Sequence, residues 1–136
     1  MTVFVCVDDR GGMLFNKRRQ SRDRRVTEDI ARTVGDGVLY ISDFSEILFE
    51  QSEVSVISVP DPLSSVSDEG FVFIENEHLG EHLDRIDRLI IYKWNKKYPY
   101  DFSLDVEPEA VGFKKRSTRE FIGTSHEKIT REDYVK

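Results

Sequence analysis

With 136 residues, 38% hydrophobic and 34% charged, the chain is sized for one domain over residues 1–136 with a true core and a heavily solvated exterior. A single cysteine excludes an intramolecular disulfide, and no run approaches the roughly 18 apolar residues of a membrane span, so the expectation is a cytoplasmic protein without membrane contact. A net charge of −6 argues against a general nucleic-acid binder, because non-specific affinity comes from many phosphate contacts.

The elements follow in chain order. TVFVCV, residues 2–7, is β-branched and aromatic without alternation, the pattern of a strand buried on both faces. Cys6 lies inside this run and reads as a small buried residue. DDRGG then signals a turn. Val26, Ile30 and Val34 are spaced i, i+4, i+8 and predict a helix over about 24–34, ended by the glycines of GDG. VLYIS is a second strand. Asp43 and Glu46 predict a capped helical turn with Phe44, Ile47 and Leu48 inside. VSVISV is a third strand, stopped by PDP, and LSSVSDEG reads as loop. GFVFIE is a strand, Leu79, Leu83 and Ile86 predict a helix, and DRLIIYKW is a strand. NKKYPYD connects to a final antiparallel pair, VGFKKRSTREFIG and KITREDYVK. Helices alternating with buried strands define an α/β domain with a mostly parallel mixed sheet, flanking helices and a C-terminal antiparallel hairpin.

Charge is unevenly distributed along this order. Residues 10–32 hold eight Lys/Arg against three Asp/Glu, whereas residues 36–87 hold thirteen Asp/Glu against Arg85 alone. Three uses of the basic run FNKRRQSRDRRVTED compete. Its arginines can hold an anionic small molecule, dock on RNA or DNA phosphates through residues 17–25, or pair with the acidic half, within the chain or across a homodimer.

VDDRGGMLFN, TEDI, FVFIENEHLGEHLDRIDRLIIYKW and DFSLD, with the closing hairpin, resemble the corresponding segments of dihydrofolate reductase in content and order. The resemblance spans nearly the whole chain and implies that reductase's fold. It also implies a pocket acid at the start of the first helix, for which Asp29 is the counterpart and Glu28 the alternative. Val5, Cys6, Arg18, Arg19 and Arg22 then fall around the substrate. In a reductase, Asp29 would orient or protonate the heterocycle while the arginines held an anionic group. An open pocket between first strand and first helix, with Asp29 at its floor, is the arrangement this requires.

The departures point away from nicotinamide chemistry. The chain is short between Phe49 and Phe71, where reductases grip the adenosine end of the cofactor. The Gly-Gly pair that follows the FVFI strand in the family is Glu75–Asn76 here, and a carboxylate with a Cβ hinders an anionic dinucleotide. RRQSRD replaces the family's Leu-Pro-Trp, and no GxGxxG or Walker-type loop compensates. The expectation is therefore no cofactor, with NADPH binding only if reductase activity is retained. The protein is expected to bind an anionic small molecule of nucleotide or folate-like kind, or a protein partner, with residual reductase activity as the alternative.

Three further patterns read as structure. HLGEH (78–82) matches the H-x-x-E-H zinc signature, yet Leu79 and Leu83 make it a core-facing acidic helix. Ser125–His126 sits in a hairpin turn, with no orienting acid to be placed beside it from sequence. Tyr92 and Trp94 alternate with Lys93 as a strand does, although KKYPYD mixes bases and aromatics.

Overall fold

The computed structural model describes residues 1–136 and carries ten strands: β1 (Thr2–Val7), β2 (Gly12–Phe15), β3 (Arg18–Arg19), β4 (Val38–Ile41), β5 (Ser55–Ser58), β6 (Phe71–Phe73), β7 (Arg88–Lys93), β8 (Phe102–Ser103), β9 (Lys114–Phe121) and β10 (Ile129–Val135). Seven form one sheet in the order β5-β4-β6-β1-β7-β10-β9. Strands β5, β4, β6, β1 and β7 run parallel to their neighbours, and β10 is antiparallel to both β7 and β9. This is the mixed α/β sheet expected from the sequence.

β1 lies between β6 and β7, so both of its faces are covered. The two-residue period of a strand divides its side chains between two cores. Val3, Val5 and Val7 join Leu89 and Ile91 of β7 on one face. Phe4 joins Ile90, Tyr92 and Trp94 on the other, where α1 (Arg24–Val34) packs.

α1 matches its predicted span, and Val26, Ile30 and Val34 are all buried. Burying each contributes about 1.5–3 kcal/mol. That outweighs the modest helix propensity of β-branched residues, at most about 0.7 kcal/mol apiece. Asp23 caps the N-terminus by accepting from the Arg25 N–H, and Gly35, at φ +62°, ends the helix with its N–H on the Ala31 carbonyl.

Three expectations differ in detail. The segment predicted as a helix around Leu79–Ile86 is a 3₁₀ segment, Gly80–Arg85. Leu79 and Ile86 are buried at its ends, while the Asp105 carboxylate accepts from the N–H groups of Leu79 and Gly80. The turn after β4 is also 3₁₀, Asp43–Phe49. It buries Ser45 and Phe49, whereas Ile47, expected inside, is 47% exposed. The loop-like LSSVSDEG begins within a short helix, α2 (Pro62–Ser65), which anchors Leu63 in the core. No helix is long and apolar enough to cross a membrane.

The polar loop after β1 hides a small antiparallel sheet, ordered β3-β2-β8. Leu14 pairs with Arg19 and Phe15 with Arg18, leaving Asn16 and Lys17 as a two-residue turn with φ of 51° and 62°. Positive φ at both central residues is the twist that joins two short antiparallel strands. This hairpin carries part of the basic run onto the sheet.

Candidate functional site

α1 presents its apolar stripe to the sheet and its other side to the 43–49 segment. Between them opens a cavity of about 760 Å³. The helix contributes Thr27, Glu28, Ala31 and Arg32, spaced so that one face repeats every turn. Ile47, Leu48, Gln51 and Ser52 form the opposite wall. Arg22 and Arg24 stand at one end, next to Thr124 and Ser125 from the β9–β10 connection. Arg24 is 3.6 Å from Glu28 and Arg32 is 3.9 Å from Asp29, and both guanidinium side chains are 72% exposed. Such long, solvated pairs leave both cations available. Arg22 has no carboxylate partner within 4.0 Å.

Asp29, the expected pocket acid, lies beneath this cleft. It is buried and accepts from the Tyr92 hydroxyl at 2.6 Å, from Arg131 Nη1 at 2.6 Å and from Arg119. Burial pushes its carboxyl pKa up, but the hydrogen bonds from Tyr92, Arg119 and Arg131 prevail and hold it below the usual carboxylate range. The same contact, with burial foremost, raises the Tyr92 hydroxyl well above its ordinary value. Asp29 therefore ties α1 to β7, β9 and β10.

The space between β1 and α1 is filled. Phe4, Val26, Ile30, Tyr92 and Trp94 pack there in one buried cluster. Val5, expected beside a substrate, is fully enclosed on the opposite face of β1 and offers no surface to a ligand. Cys6 is half-buried against a cavity of about 10 Å³, shared with Arg19, Gln20, Ser21, Glu75 and Trp94. Burial, then the carboxylates of Glu75 and Asp23, raises its thiol pKa, so the thiolate is disfavoured.

The basic run divides its labour. Arg18 is exposed on the hairpin. Arg19 turns inward and grips Glu75 with two parallel bonds, Nε to Oε1 at 2.9 Å and Nη2 to Oε2 at 3.0 Å. Ser45 Oγ donates to Glu75 Oε2 at 2.7 Å, and the Arg19 guanidinium lies over the Phe44 ring. One arginine thus pairs internally with the acidic half, as one of the three readings allowed. Arg22 remains at the cleft.

His126 is the residue whose surroundings the sequence concealed. Its Nδ1 lies 3.0 Å from Asp23 Oδ2, and its Nε2 lies 3.0 Å from Ser21 Oγ and 3.2 Å from the Tyr98 hydroxyl. The Trp94 indole stacks on the imidazole at 4.6 Å. The orienting acid, absent from any local pattern, comes from 103 residues upstream. A signal existed: Ser21 and Asp23 flank Arg22, immediately before the helix. In HLGEH, the 3₁₀ geometry does not set two histidines on one helical face, and His78 instead stacks on Phe102 at 4.4 Å.

The strand order, the helix against β1 and the closing antiparallel pair define a dihydrofolate reductase-like α/β fold. Among solved structures, the chain is similar to a dihydrofolate reductase from Enterococcus faecalis complexed with NADP(H) and RAB-propyl, with a TM-score of 0.65, 12% identity, and coverage of 98% of this chain and 94% of that one. No family model and no curated protein matches the sequence. The fold is retained while the sequence has diverged.

Proposed function

We propose that the chain binds an anionic small molecule of nucleotide or folate-like kind in the cleft between α1 and residues 43–49. The observation that carries this reading is the cleft of about 760 Å³ rimmed by Arg22, Arg24 and Arg32. Ligand sites commonly span about 300–1,000 Å³ and place a few polar groups around an apolar surface. Here Ala31, Ile47 and Leu48 supply that surface. A guanidinium takes a carboxylate or phosphate through two parallel hydrogen bonds, which fixes orientation as well as charge. In this arrangement Asp29 anchors the helix from below, and Arg19 braces the neighbouring wall through Glu75 and Phe44.

This reading places no nicotinamide dinucleotide on the other side of the fold. By the resemblance in sequence, Glu75, buried here, takes the place of the family's Gly-Gly pair. The one cation beside it, Arg19, is already neutralised by that carboxylate. Reduction through such a cofactor forms no part of this reading.

Calorimetric titration with folic acid and with AMP tests it. At least one binds, more weakly as salt rises, and Arg22→Ala or Arg32→Ala each costs about 1.5 kcal/mol, roughly tenfold in affinity, for the lost charged hydrogen bond. Absence of binding by both compounds, or binding indifferent to both substitutions, defeats the reading.

A further inference from the structure

Anion binding in the cleft makes no use of the Asp23–His126–Ser21 arrangement. We propose that Ser21 is an acyl-accepting nucleophile, with His126 as its general base and Asp23 as the positioning acid, acting on small carboxylic esters.

The hydrogen-bond partners fix the direction of proton movement. Asp23 is ionised and can only accept, so His126 in its neutral form carries its proton on Nδ1, and Nε2 is the acceptor facing Ser21 Oγ at 3.0 Å and the Tyr98 hydroxyl at 3.2 Å. The N–H groups of Arg25, Thr124 and Ser125 hold the Asp23 carboxylate at 2.9, 2.9 and 2.8 Å. Asp23 and His126 are buried, and the stacked Trp94 fixes the imidazole plane. Nucleophile, base and orienting acid therefore stand in consecutive hydrogen-bond contact, the relation an activated serine requires.

Ser125 is not the nucleophile. Its hydroxyl donates to the Arg22 carbonyl at 2.9 Å and faces the protonated Nδ1 rather than a free lone pair. Nor is Ser21 needed to tie the loop to the β9–β10 connection, because Asp23 completes that tie through Thr124 and Ser125. Two further features suit acyl transfer. Ser21 lines the cavity of about 10 Å³, room for one water, where the buried Gln20 Oε1 has no protein partner. The backbone N–H groups of Ser21 and Arg22 donate to no protein acceptor and are free to bond to a ligand or water.

The chemistry balances without a further reactant. Ser21 Oγ bonds to the ester carbonyl carbon as its proton passes to His126 Nε2. The carbon–alkoxy bond breaks, and the alkoxide leaves as alcohol with that proton. Water, deprotonated by His126, then attacks acyl-Ser21 and releases the carboxylic acid and the free hydroxyl. Tyr98, which shares Nε2 at 3.2 Å, lies within reach of the same proton.

The test uses the full chain with p-nitrophenyl acetate and a fluorophosphonate probe, read by p-nitrophenol release and by mass spectrometry. One adduct is expected, on Ser21. Ser21→Ala abolishes it, and Asp23→Asn slows acylation about 100-fold. Asn keeps the oxygen that caps the helix but not the second accepting oxygen, so the urea midpoint of Asp23→Asn is measured beside its acylation rate to separate loss of relay from loss of fold. The acylation rate depends on pH in the unmodified chain and loses that dependence in His126→Gln. No adduct on the folded chain, an adduct on another residue, or p-nitrophenol release unchanged in Ser21→Ala overturns the proposal. These small probes need none of the cleft arginines, so failure here and failure of the anion reading are distinct.

Discussion

Asp23 caps α1 and Asp29 lies in its second turn, and both are buried, yet their neighbours differ in kind. Around Asp29 the donors are Tyr92, the buried Arg131 and the half-exposed Arg119, so permanent cations balance its charge. Around Asp23 they are backbone N–H groups, the Thr124 hydroxyl and the His126 imidazole. The first arrangement fixes the helix to the sheet. The second ties the N-terminus of the helix to the β9–β10 connection. An acid near the start of a helix is therefore not identified by position; its partners decide what it does.

Substituting Asp29 gives the largest expected effect. Asp29→Asn strips a buried guanidinium of its main counter-charge and costs about 3 kcal/mol in a urea titration at neutral pH, the lower end of the range for broken buried pairs because Arg131 keeps Asp133. Arg119→Ala, removing the half-exposed partner, costs about 1 kcal/mol or less. The pH dependence has a definite sign. Asp29 titrates below its ordinary value of 3.8 in the folded chain, so its contribution is complete above that pH and is lost as pH falls through the lower folded value. Asp29→Asn should remove its share of that acid limb, while Asp23, whose burial is outweighed by hydrogen bonds from the Thr124 and Ser125 N–H groups and His126 so that it too lies below its ordinary value, keeps the rest.

Asp23 divides the comparison more finely. Asp23→Ala removes the N-cap and the bonds from Thr124, Ser125 and His126 and costs about 2–3 kcal/mol, whereas Asp23→Asn keeps one accepting oxygen but turns an amide toward the remaining donors and costs about 1–2 kcal/mol. Denaturant midpoints of the two variants measure the difference. Asp23→Asn costing as much as Asp23→Ala would show that the charge, rather than the capping oxygen, carries the contribution.

The regular elements were legible because local spacing forces them. Val26, Ile30 and Val34 define α1, and TVFVCV has no polar face to expose. The β2–β3 hairpin was hidden because its turn is Asn16–Lys17 rather than a Gly-containing pair, and that backbone is held by the packing of Met13 and Leu14, by pairing with β8 and by the Asn16 N–H on Asp101. Leu79, Leu83 and Ile86 suggested a helix, but Asp105 takes the first N–H groups of a tighter 3₁₀ segment. The candidate site was less legible than the fold. Whether a pocket survived beside β1 depended on Tyr92 and Trp94 turning into it, and on Asp29 meeting Arg119 and Arg131 from about a hundred residues away. The Glu75 substitution was visible in sequence; its Arg19 partner, 56 residues distant, was one of several arginines in the run.

The contrast between the filled reductase-type interior and the open outer cleft leads to one direct measurement. Amide-resolved NMR of the intact chain, titrated with folic acid and with AMP, locates any ligand by the resonances that move. The account predicts saturable shifts at Thr27, Ala31, Ile47 and Leu48 for at least one of the two compounds, with Glu75 and Asn76 unmoved. Shifts centred on Glu75 and Asn76, or none along α1 and residues 43–49, would contradict it.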